Sequence, residues 1–376
     1  MGFSRFDFDM LVPDLARAAL HGGKAGDLIA LDALSSRAGT APDMSRALAA
    51  ALTQAGFASD TANGELRRTD RPVRLLAIDL GGTKLHAALV DETGQVLAER
   101  VDATDRRGGQ TIVAQIGALC DALCAKAGLA AADIAAAAVG TPGAANPRTG
   151  RIAMAPNIAD FDAFDVGGAL RARLGIPVRI ENDVNMAALG ERAAGAAQGA
   201  ENFALVALGT GVGLGLVLNG ALVRGAAGFA GEIAHLPLGA DPFDAANYRL
   251  GPLETAIGGA GLVHAARRRG LDDVENVEGL FLRARAGDGR AKSTIADAAR
   301  ILFLALSAVR AIVDPELVVL AGGIGLQPEI AAQLSRIGAE HPFAPKFAVS
   351  ALGPRAAIAG AASCALAEAL RARMPA

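Results

Sequence analysis

A chain of 376 residues is long enough for two α/β domains with sizeable cores and a smaller segment beside them. Its formal charge of -3 gives no general pull toward nucleic acid or an anionic membrane surface. Three cysteines (Cys120, Cys124 and Cys364), odd in number and without metal-ligand company, exclude a disulfide framework and read as buried thiols of a reducing compartment.

The N-terminus carries Asp7 and Asp9 where a secretory signal needs positive charge, so the chain is expected in the cytoplasm. Residues 31–57 read as helix, turn at 39–42 and second helix ending at Gly56, the spacing of a helix-turn-helix. Residues 63–72 read as a small wing or a linker. The segment 1–72 holds eight Lys or Arg against nine Asp or Glu, a poor balance for gripping phosphates, so DNA binding is not favoured.

After Pro72 the pattern changes. A strand is expected over 75–79, a glycine turn at Gly81–Gly82, a second strand over 86–90 and a third after Gly94. Residues 110–128 are helical in pattern, 134–140 return to strand, and 141–150 form a loop. A strand near 178–180 delivers Glu181, Asn182 and Asp183 into an Ala-rich helix over 186–194. The run 202–223 has no charge and is long enough to span a bilayer, yet its five glycines would weaken a helix; two strands around a glycine turn fit better. A long helical region over 257–313 leads to a strand closing on Gly322 and Gly323. The recurrence of strand, glycine turn and strand in each half suggests an internal duplication that sets two glycine turns across a cleft.

Four groups of residues could carry chemistry. Asp79-Leu-Gly-Gly-Thr-Lys84 ends a strand in a carboxylate and a tight turn whose N–H groups suit phosphate oxygens, with Asp79 placed for Mg²⁺, through water; an ordinary hairpin turn is the alternative. Gly209-Thr-Gly-Val-Gly213 repeats the logic with Thr210 as hydroxyl donor. Asp183 falls at a helix start, where an Asp serves as a simple cap or as a base accepting a proton from an attacking hydroxyl, with Asn182 holding a neighbouring hydroxyl. Glu232, His235 and Glu254 offer the donors and acceptors a polyol needs. Walker and GxGxxG patterns are absent, so P-loop and dinucleotide readings fail.

Together, AIDLGGTK, GTPG (140–143), Pro156-Asn157, ENDVN, LGTGVGLG, AGEIAH and LVVLAGG resemble the bacterial glucokinase and ROK (repressor, open reading frame, kinase) group, in its order from residue 75 to about 370. The resemblance implies an α/β, actin/hexokinase-like (ribonuclease H-like) duplicated fold of two domains with a cleft, plus a small, mainly helical N-terminal segment. Domains are expected at 1–72, 73–182 (completed by a C-terminal helix, 355–376) and 183–354. It implies ATP-dependent phosphorylation of a hexose, glucose first, with Asp183 as general base. Gly143, Asn157, Asn182, Glu232, His235 and Glu254 are implied as sugar ligands. Asp79, Gly81, Gly82, Thr83, Lys84, Gly209, Thr210, Gly211, Gly213, Gly322 and Gly323 are implied for ATP, with Mg²⁺ at Asp79. A homodimer or tetramer is implied too. Two departures stand out: residues 236–253 hold no cysteine, so the family's zinc loop is not expected, and Ala234 replaces the usual Gly before the motif histidine. The same family includes repressors with an N-terminal winged helix, which makes a sugar-responsive DNA-binding regulator the alternative.

Overall fold

The computed structural model describes residues 28–29, 49–50, 52–54, 56–60, 66–69, 72–105, 107–146, 151–153, 158–161 and 163–373. The chain divides into two compact units, one of Met1–Ala193, Gly220–Gly228 and Arg355–Ala376, the other of Ala194–Asn219 and Phe229–Pro354.

In the first unit, strands β1 (Leu28–Ile29), β2 (Ala58–Asp60) and β3 (Leu66–Arg68) form a small antiparallel sheet with β3 in the middle. The 63–72 segment therefore contributes one arm of a hairpin. Most of the expected helix-turn-helix lies outside the described residues; 49–50 and 52–54 are helical. Next come β4 (Arg74–Leu80), β5 (Lys84–Asp91), β6 (Val96–Ala103), α1 (Gly109–Ala127), β7 (Ala136–Thr141), the short pair β8 (Ala144–Ala145) and β9 (Ile152–Ala153), α2 (Val166–Leu174), β10 (Val178–Asn182) and α3 (Asp183–Ala194). The main sheet has the order β10-β7-β4-β5-β6, with β4, β7 and β10 parallel and β5 and β6 antiparallel to their neighbours. Every residue of β7 is buried, the mark of a central parallel strand covered on both faces. Leu76, Ile78 and Leu80 share a core with Ile112, Ile116, Leu119 and Leu123 of α1. The C-terminal helix α10 (Ala356–Arg371) packs on β4 and β7.

In the second unit, β11 (Phe203–Leu208) and β12 (Val212–Leu218) form an antiparallel hairpin turning at residues 209–211, as the glycine spacing predicts for this uncharged run. Among the described residues no helix is long and apolar enough to cross a membrane. The long helical region resolves into α4 (Pro252–Ile257), α5 (Gly259–Arg268), α6 (Val277–Arg285) and α7 (Gly289–Val313). Then follow β14 (Leu317–Ala321), after the two-residue β13 (Ala221–Leu222) of the first unit, α8 (Gly322–Gly325), α9 (Pro328–Ala339) and β15 (Phe347–Val349). Strands β12, β11, β14 and β15 lie side by side in that order, β14 parallel to β11 and β15 parallel to β14. Val206, Leu208, Val318 and Leu320 bury against Leu302 and Leu306 of α7. Thus β5-β4-β7-β10 and β12-β11-β14-β15 repeat one pattern: a hairpin whose first strand is flanked by two successive parallel strands.

Candidate active site

In the first unit, the candidate residues gather at the carboxyl ends of the three parallel strands, the edge at which open α/β sheets bind ligands. Asp79 pairs across β7 with Gly140, which pairs in turn with Glu181. Two strand spacings, on the order of 10 Å, separate the Asp79 column from that of β10. Burial pushes the Asp79 carboxyl above its ordinary range, opposed by the charges of His86 and Lys84. Beyond it the 81–83 turn is exposed or half-exposed and pinned from behind. Gly81 N–H donates to Lys84 O at 2.8 Å, Thr104 Oγ1 to Gly81 O at 2.7 Å, and Thr104 N–H to Thr83 O at 3.1 Å. Gly82 lies in this turn, and Lys84, exposed, opens β5.

The end of β10 differs from expectation in one respect. The helix starts at Asp183, three residues earlier than its apolar pattern, and the cap is Asn182. Asn182 Oδ1 accepts from the N–H groups of Val184 (2.9 Å) and Asn185 (3.1 Å), and its Nδ2 donates to Gly143 O at 3.0 Å. The side chain of Asn182 thus ties the helix start to the 141–143 loop and keeps one N–H of its amide for a ligand. Gly143 has φ 89°, a left-handed conformation that favours glycine. Asp183 occupies the first helical position, where the helix dipole favours negative charge; its Oδ1 accepts from Val184 N–H at 2.8 Å. Gly140 makes room for this approach, since a Cβ there would lie 3.5 Å from Asp183 Cα and 3.2 Å from Met186 Cγ.

Glu181 was visible in the motif but carried no assigned role. It is 2% exposed, and its Oε2 accepts from Arg224 Nε at 2.6 Å. Its Oε1 accepts from Asn182 N–H (3.1 Å) and Asn185 Nδ2 (3.0 Å). A buried ion pair therefore stands directly behind the Asn182–Asp183 corner. The sequence shows Glu181 beside Asp183 but carries no local signal that pairs it with Arg224, 43 residues away.

In the second unit, Gly209, Thr210 and Gly211 form the turn, and Gly213 lies in β12 opposite Ala207. The Gly322–Gly323 turn presses against it: a Cβ at Gly322 (φ 80°) would lie 2.4 Å from Leu208 O, and one at Gly209 3.5 Å from Gly323 N. Both glycine turns thus share one edge of this sheet. Glu232 precedes a one-turn 3-10 helix, Ile233–His235. Residues three apart eclipse in that geometry, which puts Glu232 and His235 on one side. Ala234 is no obstacle, because its φ is not positive. Gly231, at φ 96°, is essential in shape: a Cβ there would lie 1.9 Å from Leu214 O. Glu254, in the first turn of α4, accepts at Oε2 from Val212 N–H at 2.8 Å. Burial raises the pKa of both carboxyls; His235 opposes the shift at each, Glu254 adds to it at Glu232, and the Val212 bond lowers it at Glu254. The cysteine-free loop is held by hydrogen bonds around buried Asn247, whose Nδ2 donates to Asp241 O at 2.8 Å.

A model of the ROK family matches residues 75–368. The chain belongs to the ROK family. It is similar to the glucokinase of Halalkalibacterium halodurans, 32% identical over 66% of this chain and 80% of the relative. Among solved structures it matches a ROK family glucokinase from Streptomyces griseus in complex with glucose and AMPPNP, at 27% identity and TM-score 0.66, covering 78% of this chain and 99% of that one. The ROK fold extends further in a transcriptional regulator homologous to the E. coli MLC protein, at 22% identity and TM-score 0.77 over 98% of each chain. The expected actin/hexokinase-like fold is therefore present, with one mixed sheet in each unit. Of the residues that the ROK resemblance implies, Asn157 lies outside the described residues.

Proposed function

We propose that this chain transfers the γ-phosphoryl group of ATP to a hexose hydroxyl, with the 6-hydroxyl of glucose as leading acceptor and Asp183 as general base. As a ROK member similar to glucokinases, the chain is an ATP-dependent sugar kinase. The observation that carries the finer reading is the corner at the end of β10. There Asn182, fixed by the α3 N–H groups and Gly143, presents Asp183 on the first helical turn rather than using it as the cap.

Phosphoryl transfer needs positioning and charge neutralisation more than covalent help from the protein. Glu232, His235, Glu254 and the remaining amide N–H of Asn182 orient the sugar hydroxyls, and Asp183 takes the proton of the attacking one. The turns at 81–83 and 209–211 offer N–H and hydroxyl donors to phosphate oxygens. Magnesium, when bound with the nucleotide, would neutralise phosphate charge. Asp79 fits it, since such an ion keeps most of its waters and asks one or two carboxylates of the protein. Asp79 would hold the ion largely through water. Glucose leads because the chain is similar to glucokinases, among them that of Halalkalibacterium halodurans and the Streptomyces griseus glucokinase seen with glucose.

The test is ADP release with Mg²⁺-ATP over a panel of glucose, fructose, mannose, allose and N-acetylated hexoses, beside Asp183→Asn. Base catalysis is worth about 10²–10⁴-fold, so the variant should lose that much in kcat while calorimetry shows sugar binding retained. Near wild-type turnover would remove Asp183 from the role.

A second reading, a sugar-responsive DNA-binding regulator, has one observation in its favour: β2 and β3 pair as a hairpin directly after the helical residues 52–54, as in a wing. A gel shift with upstream DNA of its own operon, with and without sugar, tests it. Salt-sensitive, sugar-reversible retardation supports it, and no shift in low salt ends it.

A further inference from the structure

We propose that Glu254 is the positioning residue of the 209–213 phosphate turn as well as a sugar ligand, so that the short helix α4 couples sugar occupancy to nucleotide affinity. This rests on the kinase reading, and it assigns to Glu254 a second task beyond it.

Three footholds carry the inference, all within the second unit. At its start, α4 is pressed against the sugar-side turn: a Cβ at Gly251 (φ 84°) would lie 2.2 Å from Ala234 O and 2.8 Å from His235 N. In its first turn, Glu254 Oε2 accepts the Val212 N–H at 2.8 Å, and a Cβ at Gly211 would lie 2.6 Å from the same oxygen. Just beyond its end, the N–H of Gly259, the first residue of α5, donates to Gly209 O at 2.9 Å and Thr210 O at 3.2 Å. The six residues of α4, with Gly251 and Gly259 flanking them, therefore run from the histidine turn to the glycine turn, and the Glu254 carboxylate bonds to the glycine-turn side. The glycine at 211 is explained by this carboxylate, which fills the space a side chain would take.

The sign of the coupling follows from fixing Glu254. At half-buried Glu232 burial raises the carboxyl pKa, the charge of His235 opposes it and repulsion from Glu254 adds to it; at Glu254 burial raises it, with the Val212 bond and His235 opposing. Sugar hydroxyls donating to these two carboxylates relieve that repulsion and fix Glu254 in one position. Fixing Glu254 fixes the Val212 N–H and the Gly211 backbone. Sugar should therefore tighten nucleotide binding, and nucleotide should tighten sugar binding by the same factor, because coupling between two ligands is reciprocal.

The experiment is calorimetric titration of the full chain with AMPPNP and Mg²⁺, with and without saturating glucose, for wild type, Glu254→Ala, Glu254→Gln and Gly211→Ala. Wild type should bind the analogue about fivefold or more tightly with glucose present. In Glu254→Ala the sugar-free affinity should fall about tenfold, the value of one charge-assisted hydrogen bond, and the glucose effect should vanish. In Glu254→Gln the amide oxygen still accepts from Val212, so sugar-free analogue binding should recover while glucose binding stays weak. Gly211→Ala should weaken glucose binding from a position assigned to phosphate. If Glu254→Ala fails to fold, Gly211→Ala decides: unchanged glucose affinity overturns the coupling. Sugar-free analogue affinity that is equal in wild type and Glu254→Ala also overturns it and leaves the kinase reading intact. A wild-type chain that binds no analogue overturns both.

Discussion

Glu181 keeps its charge inside the protein, and that position decides what it does. Arg224 reaches it from 43 residues away, and the other oxygen holds Asn182 and Asn185. Removing one partner of such a buried pair is strongly destabilising, by about 3–5 kcal/mol. Glu181→Ala should lose about that much in urea unfolding, and any protein that folds should show lower kcat with sugar Kd less affected, because the Asp183 corner has lost its backing. The sequence displays Glu181 beside Asp183 but nothing of Arg224, since no local pattern links a strand end to a glycine-rich stretch so distant. The exchange of roles between Asn182 and Asp183 was equally hidden. Both residue types cap helices, and the choice depends on Asn182 still pairing with Thr141 as the last residue of β10. Glu232 supplies a pH prediction. Burial raises its pKa above the ordinary 4.5, Glu254 adding and His235 opposing. The folded protein then holds the proton to higher pH than the unfolded chain, so this group's contribution to stability falls as pH rises through the raised pKa. Sugar affinity runs the other way, because the ionised carboxylate accepts hydroxyl hydrogen bonds. The sugar KM should fall with rising pH over a window that begins near 4.5 and extends above it. Glu232→Gln should be more stable than wild type in mildly alkaline buffer, with the gap closing in acid; a gap that widens in acid contradicts the assignment.

At the scale of elements, glycine explains what the strand and helix patterns leave out. The hairpins β4–β5 and β11–β12 were legible because each joins apolar strands through a glycine turn, and the uncharged run became a hairpin for the same reason. The crossing of α3 and α10 was not legible. A Cβ at Gly190 would lie 2.0 Å from Ala356 O, and one at Gly360 1.7 Å from Met186 O. Both glycines sit inside helices, where the residue itself weakens the helix by about 1 kcal/mol relative to alanine. On propensity alone Gly360→Ala should therefore stabilise. Contact with a backbone carbonyl on the other helix reverses the sign, since neither backbone can yield as a flexible side chain would. Overpacking of this kind costs about 1–3 kcal/mol, and Gly360→Ala should show a loss in that range or beyond by urea unfolding. Because Met186 and Asp183 share α3, the same variant should lower kcat. A stabilised Gly360→Ala would mean that the helices are further apart than described.

At the scale of the whole molecule, the chain holds more than its catalytic family requires. The ROK match begins at residue 75, and nearly the whole Streptomyces griseus glucokinase is accounted for by 78% of this chain. The first strand of the main sheet, β4, starts at Arg74, so a chain cut at residue 73 keeps every strand of both main sheets. What it loses is the small sheet β1-β3-β2 and the apolar residues Leu52, Phe57 and Leu66 buried around it. Among the described contacts of the C-terminal stretch with that segment, the Arg373 guanidinium lies 5.9 Å from the Phe57 ring centroid. A cation–π contact at that distance is worth on the order of 1 kcal/mol, and both main sheets keep all of their strands without it. Residues 73–376 should therefore fold, with ADP release close to that of the full chain on the preferred sugar, and any retardation of DNA in a gel should disappear with the hairpin. The charge count of the first 72 residues, eight basic against nine acidic, sets how weak that retardation starts. A truncated chain that folds by circular dichroism yet releases no ADP would make the small sheet part of the catalytic machinery, a role that neither its composition nor its position suggests.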